Sequence, residues 1–201
     1  MRVTTFTETM RGTVAPASPT GRSGQESLTA LVADHERATR SGDAGPLLLL
    51  DLRMRLPEPQ DAEDGFRGDV RGGRIVAPGF EGAVTAGKAD ILIHDGERRI
   101  MRYRLRARSA EGRELVVVGT KYLRRGLTGA WGDTTTLYVD VFDGDVDMDD
   151  GGELEQVEPI MVGIVHVLPR DLVGQMLSLR GRPLGFGCDF VRRVLPHRVR
   201  R

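Results

Sequence analysis

The sequence predicts a mainly β protein, an antiparallel barrel or closed sandwich with one or two helices after the last strand. Three observations predict it. Residues 100–108 alternate strictly, with Met101, Tyr103, Leu105 and Ala107 on one face and Arg102, Arg104, Arg106 and Arg108 on the other, the period of a half-buried strand. Eight or more such runs precede any strong helical pattern, and the strand-helix-strand rhythm of a parallel sheet is absent from them. Short glycine-rich runs at 67–76 and 79–84 suit sharply bent strands in a barrel wall.

In chain order, Val3 to Val14 reads as a first strand, with Phe6, Glu8 and Met10 opposed to Thr5, Thr7 and Thr9. A Pro-containing loop follows to Gly24. Leu28, Leu31, Val32 and His35 then recur at i, i+3, i+4 and i+7, which predicts a weakly amphipathic helix or an ordered excursion over 26–40. Leu47 to Leu56 is a strand with a buried start, and simple alternation puts Leu48, Leu50, Leu52, Met54 and Leu56 on one face. Ala89 to His94 is a further short strand, and Asp95-Gly96 marks a hairpin into the run at 100–108.

Ala110 to Arg113 turns that run into Glu114–Leu123, rich in β-branched residues, and Asp133–Phe142 is the next strand. Val157 to Leu168 carries apolar residues on both faces and should be covered on both sides. Pro169 starts a helix bearing Leu172, Val173, Met176, Leu177 and Leu179. A second helix is expected from about Cys188 to Leu195. The barrel thus occupies 1–168, and 169–201 forms a helical segment and basic tail packed on it.

Composition excludes more than it assigns. In 201 residues, Lys plus Arg and Asp plus Glu both total 29, so no overall charge bias points to nucleic acid. The single cysteine, Cys188, excludes an internal disulfide. No apolar run at the N-terminus or elsewhere suggests a leader or membrane insertion, and a cytoplasmic location is the default expectation.

Three segments, Phe6–Gly12, Met101–Leu105 and Gly119–Leu123 with Trp131–Tyr138 after it, together resemble a bacterial calycin-like (lipocalin-like) β-barrel domain. That domain is associated with cholesterol-oxidase-like flavoproteins of the glucose-methanol-choline oxidoreductase group. The resemblance spans residues 3–142 discontinuously and implies a barrel with an apolar small-molecule pocket. The dinucleotide-binding glycine motif is missing from the sequence, so no flavin or other cofactor is implied.

Glu8 shares the face of Phe6 and Met10, and a carboxylate placed inward needs a cation such as Lys121 or an arginine. Such a pair can tie the first strand to later ones or serve as acid and base. Lysine occurs only at Lys88 and Lys121, which singles out Lys121 inside its strand. His166 is a reserve candidate for proton transfer, otherwise a hydrogen-bonded core residue. Phe6, Met10, Met101, Tyr103, Tyr122, Trp131 and Tyr138 are candidates to grip an apolar ligand, core filling being the competing reading.

Asp133 with Thr134–Thr136 reads as turn chemistry. Asp147–Glu158 matches a calcium loop only in part, because Gly151 stands where a side-chain ligand belongs, and an acidic loop is the better reading. His94 and His166 lack partners at metal-ligand spacing, so no metal is expected. The function expected is binding of a lipid-, sterol- or polyketide-like molecule. The alternatives are a cyclase or isomerase working inside the barrel, and an accessory barrel docked on an oxidoreductase partner; a homodimer is a further partner reading.

Overall fold

The computed structural model describes residues 3–17, 28–58, 65–95, 98–123, 135–144, 146–147 and 157–181. Its strands are β1 (Val3–Pro16), β2 (Gly45–Pro57), β3 (Phe66–Val70), β4 (Arg74–Ala77), β5 (Phe80–Asp95), β6 (Arg98–Ser109), β7 (Glu114–Leu123), β8 (Thr136–Asp143) and β9 (Met161–His166). Two helices, α1 (Leu28–Thr39) and α2 (Pro169–Ser178), complete the described elements. All nine strands belong to one antiparallel sheet, and pairing of β1 with both β2 and β9 closes it into a ring. Among the described residues, closure pairs part of every strand on both sides, although Val3–Met10 of β1 faces no strand on its β9 side.

The short strands β3 and β4 lie end to end in one position of the ring. Each pairs with β2 on one side and β5 on the other, β3 opposite Met54 and Arg55, β4 opposite Leu48–Leu50. The expected single run at 67–76 is therefore two strands, broken at Gly72 and Gly73, whose φ values of 130° and 137° suit only glycine. Conversely, the expected runs at 79–84 and 89–94 are one strand, β5, with register shifts between Val84 and Ala86 and between Ile91 and Ile93.

A bulge also corrects the reading of β2. The register jumps between Glu8 opposite Leu52 and Met10 opposite Leu49, with Asp51 at φ 52° and its N–H donating to Thr9 Oγ1 at 3.1 Å. One extra residue reverses the side-chain phase. Leu47 and Leu49 point inward before it and Leu52, Met54 and Leu56 after it, while Leu48 and Leu50 are only half-buried.

Inside the ring, residues from every strand form one apolar cluster that includes Phe6, Met10, Leu52, Met54, Met101, Leu105, Leu137 and Val165. Met10, Leu49, Leu52 and Leu105 are 0 % exposed, so neighbours meet each of them on all sides. The ring closes at β1–β9 through two glycines that admit a close backbone approach. A Cβ on Gly12 would sit 1.9 Å from the Ile164 carbonyl oxygen, and one on Gly163 would sit 2.0 Å from that of Thr13.

Outside the ring, α1 packs on β9, β1 and β8. It covers the outward residues Val162 and Ile164, which accounts for the two-sided apolarity of β9. His35, fully buried, fixes this helix to the wall. A backbone carbonyl can only accept, so Nδ1 donates to Leu31 O at 2.8 Å, and Nε2 lies 3.3 Å from Asp140 Oδ1 on β8. The outward arginines of β6 are paired with carboxylates: Arg104 with Asp90 at 2.7 Å, Arg106 with Glu114 at 3.1 Å, and Arg108 with Glu114 at 2.5 Å.

Helix α2 begins at Pro169, as the sequence predicts, and lies along β1. Its apolar spacing does not translate into burial throughout. Leu172 and Leu179 pack on the core cluster, whereas Val173, Met176 and Leu177 are exposed. The expected second helix from about Cys188 lies outside the described residues.

Candidate functional site

Glu8 reaches the barrel interior because it alternates with Phe6 and Met10 along β1, and Lys121 does so by alternating with Gly119 and Leu123 along β7. The two side chains meet there. Lys121 Nζ donates to Glu8 Oε1 at 3.0 Å, with side chains 2 % and 3 % exposed. The pair is thus removed from water, where desolvation of both charges competes with their attraction.

Tyr103 completes the group from β6, where it faces Gly119 across the β6–β7 ladder. The absence of a side chain at Gly119 matters, since a Cβ there would fall 2.6 Å from a Leu137 methyl. Lys121 Nζ lies 5.2 Å from the Tyr103 ring centroid, within cation–π range. Burial holds the Tyr103 hydroxyl well above its ordinary value of 10.0; the Glu8 charge and a hydrogen-bonding interaction with that carboxyl add to the shift. The other carboxylate oxygen, Glu8 Oε2, is buried yet has no partner of full hydrogen-bond geometry.

Around this trio the walls are apolar and adaptable. Met101 is directly opposite Lys121, Leu52 opposite Glu8, and Met54 opposite Phe6. Methionine is unbranched and changes shape at low cost, so Met54 and Met101 make this end of the core adaptable.

The wall itself changes character here. β9 pairs with β1 only from Arg11 to Pro16, and β8 pairs with β7 only from Leu115 to Thr120. Among the described residues, Val3–Met10 of β1 and Lys121–Leu123 of β7 therefore have no strand partner on those sides. The end of α2 and the residues after it stand in for one along β1, with Arg180 forming an isolated antiparallel bridge to Thr5. Thr5 N–H donates to Arg180 O at 3.1 Å and Arg180 N–H to Thr5 O at 2.8 Å; Thr7 N–H donates to Ser178 Oγ at 2.8 Å. Arg11 adds an ion pair to Asp171 at 3.2 Å. Glu8 and Lys121 thus belong to the part of the barrel where strand pairing on one side gives way to α2 and the short segment after it.

The chain matches no family model, no curated protein and no solved structure. Its site is accordingly read from its own geometry.

The structure divides the aromatic layer expected from the sequence. Phe6, Met10, Met101 and Tyr103 line the interior with Glu8 and Lys121. Tyr122 and Tyr138 instead project outward, where their rings lie 5.9 Å apart and Tyr138 meets the His35 ring edge-on at 5.8 Å beneath α1. Both are half-buried, and burial is the main cause that raises the Tyr122 pKa.

His166 is likewise not a core residue. It is exposed on the outward face of β9, 3.2 Å from Thr136 Oγ1, and partial desolvation lowers its pKa from 6.5. Trp131 and Asp133 lie outside the described residues, as does most of the acidic loop. No cluster of three or more metal-ligating side chains occurs among the described residues.

The His35–Asp140 contact is the feature that sequence reading missed. The available signal was a histidine at i+7 on the otherwise apolar face of the first helix, a place where an imidazole must find a buried partner.

Proposed function

We propose that this chain binds an apolar small molecule inside its β-barrel, at the end occupied by Glu8, Lys121 and Tyr103. The observation that carries the reading is Glu8 Oε2, a buried carboxyl oxygen with no partner of full hydrogen-bond geometry in a largely apolar interior. A pair retained only to hold strands together would gain by satisfying that oxygen, and an apolar replacement would often serve stability as well. A lipid-, sterol- or polyketide-like guest displacing methionine side chains would gain about 25 cal/mol per Å² of apolar surface removed from water. A calycin-like barrel is the architecture that this reading requires.

The test is native mass spectrometry of the purified chain for a co-purifying molecule, repeated with Glu8→Gln and Lys121→Met. A bound species in the native chain that is lost from both variants supports the reading. Equal occupancy in all three proteins, or a native chain that takes up no apolar molecule, overturns it.

A second reading, a cyclase or isomerase, draws on the same trio, because a carboxylate, an ammonium and a phenol in contact can take up and return protons to a confined chain. Turnover lost with binding retained in Glu8→Gln would select it over simple carriage.

A further inference from the structure

The hydrogen-bonding capacity left over at the trio defines the polar end of the guest. Lys121 carries three N–H donors, of which one is used on Glu8 Oε1. Glu8 Oε2 is an acceptor with no donor of full geometry. The site therefore offers two further donors and an acceptor on one buried ion pair, with Leu52 opposite Glu8 and Met101 opposite Lys121.

Few functional groups answer both. A hydroxyl donates once and accepts up to twice, so a single alcohol or enol oxygen can donate to Glu8 Oε2 while accepting from Lys121. A ketone, ester or ether accepts from Lys121 but leaves Oε2 as it was. A carboxylate brings a second negative charge to a buried glutamate, which like-charge repulsion and desolvation oppose. A hydrocarbon leaves both groups unanswered.

Resting on the binding function proposed above, we infer that the barrel selects a neutral apolar molecule ending in a hydroxyl or enol, with Glu8 and Lys121 as its recognition pair. Tyr103 acts as a positioning residue, its ring lying 5.2 Å from the Lys121 ammonium.

Four probes of matched chain length separate the alternatives: decan-1-ol, decan-2-one, decane and decanoate. Each is titrated into the full chain and followed by native mass spectrometry and by the shift in unfolding midpoint. Leaving one buried polar group unpaired corresponds to roughly a 5- to 150-fold loss of affinity, and the alcohol is expected to exceed the ketone and the alkane by a factor in that range, with decanoate weakest.

Glu8→Gln supplies an amide N–H at the same end of the interior and is expected to narrow the gap between alcohol and ketone to within a few fold. The comparison of probes on the native chain stands even if that variant does not fold. Equal binding of alcohol, ketone and alkane overturns the hydroxyl assignment while leaving the barrel a carrier of apolar molecules. Failure of all four to bind sinks both.

Discussion

The two faces of β6 and β7 use ion pairs in opposite ways. Outside, Arg106 and Arg108 share Glu114, Arg104 meets Asp90, and Arg106 also donates to the carbonyls of Gly144 and Val146. Inside, one lysine meets one glutamate whose second oxygen is left over. The outer charges are only partly removed from water and find several partners. The inner pair is dry and incompletely paired, which is costly for a strut and useful for a binding site.

Removing one inner charge should break the comparison most severely. Lys121→Met leaves Glu8 buried and uncompensated and is expected to lower unfolding free energy by about 3–5 kcal/mol in urea titration. Arg108→Ala on the outer face removes a half-solvated contact, with the arginine side chain 61 % exposed. Its effect should stay within about 1 kcal/mol and shrink with added salt. Comparable losses in the two variants would mean that inner and outer pairs do the same job.

Next in size is the ring seam. Gly163→Ala places a methyl against the Thr13 carbonyl and should cost about 1–3 kcal/mol, with faster amide exchange in residues 11–15 and unchanged protection between β6 and β7. Uniform loss of protection would indicate that the seam is not a separate element of the wall.

A smaller effect concerns alkaline pH. The folded pKa of Tyr103 is raised, so below about pH 10 the phenol is neutral in both folded and unfolded chains and contributes no slope. Above that value the unfolded chain gives up its proton first, and stability falls as pH rises toward the folded pKa. One such group gives a slope of at most ~1.4 kcal/mol per pH unit. Tyr122 is shifted in the same direction, so Tyr103→Phe should reduce the alkaline slope without abolishing it. An unchanged slope would place the Tyr103 hydroxyl in a wetter setting than the trio requires.

Much of this architecture was legible because period-two patterns survive wherever a strand is regular. The faces of β1 and β6 were readable from alternation, β7 was readable as a strand, and the inward direction of Glu8 followed from Phe6 and Met10. The need of a buried carboxylate for a cation left Lys121 or an arginine as partner, and the structure selects Lys121. Bulges were not legible. Asp51 is not glycine, and nothing local announces that it adopts φ 52° and reverses the phase of Leu47–Leu50 against Leu52–Leu56.

The misplaced tyrosines had a signal that alternation supplied. Tyr122 follows Lys121 directly and cannot share its face, and Tyr138 stands between inward Leu137 and Val139. The break in strand pairing beside Glu8 depends on where β8 and β9 end in space, which no local pattern encodes.

The central claim is that Glu8 and Lys121 serve a guest and not the fold. It is tested most directly by replacing both at once, Glu8→Leu with Lys121→Met, and measuring urea unfolding alongside decan-1-ol binding. The account predicts a chain at least as stable as the native one that no longer prefers the alcohol over decane. A double variant as unstable as Lys121→Met alone, or one that keeps the preference, would contradict it.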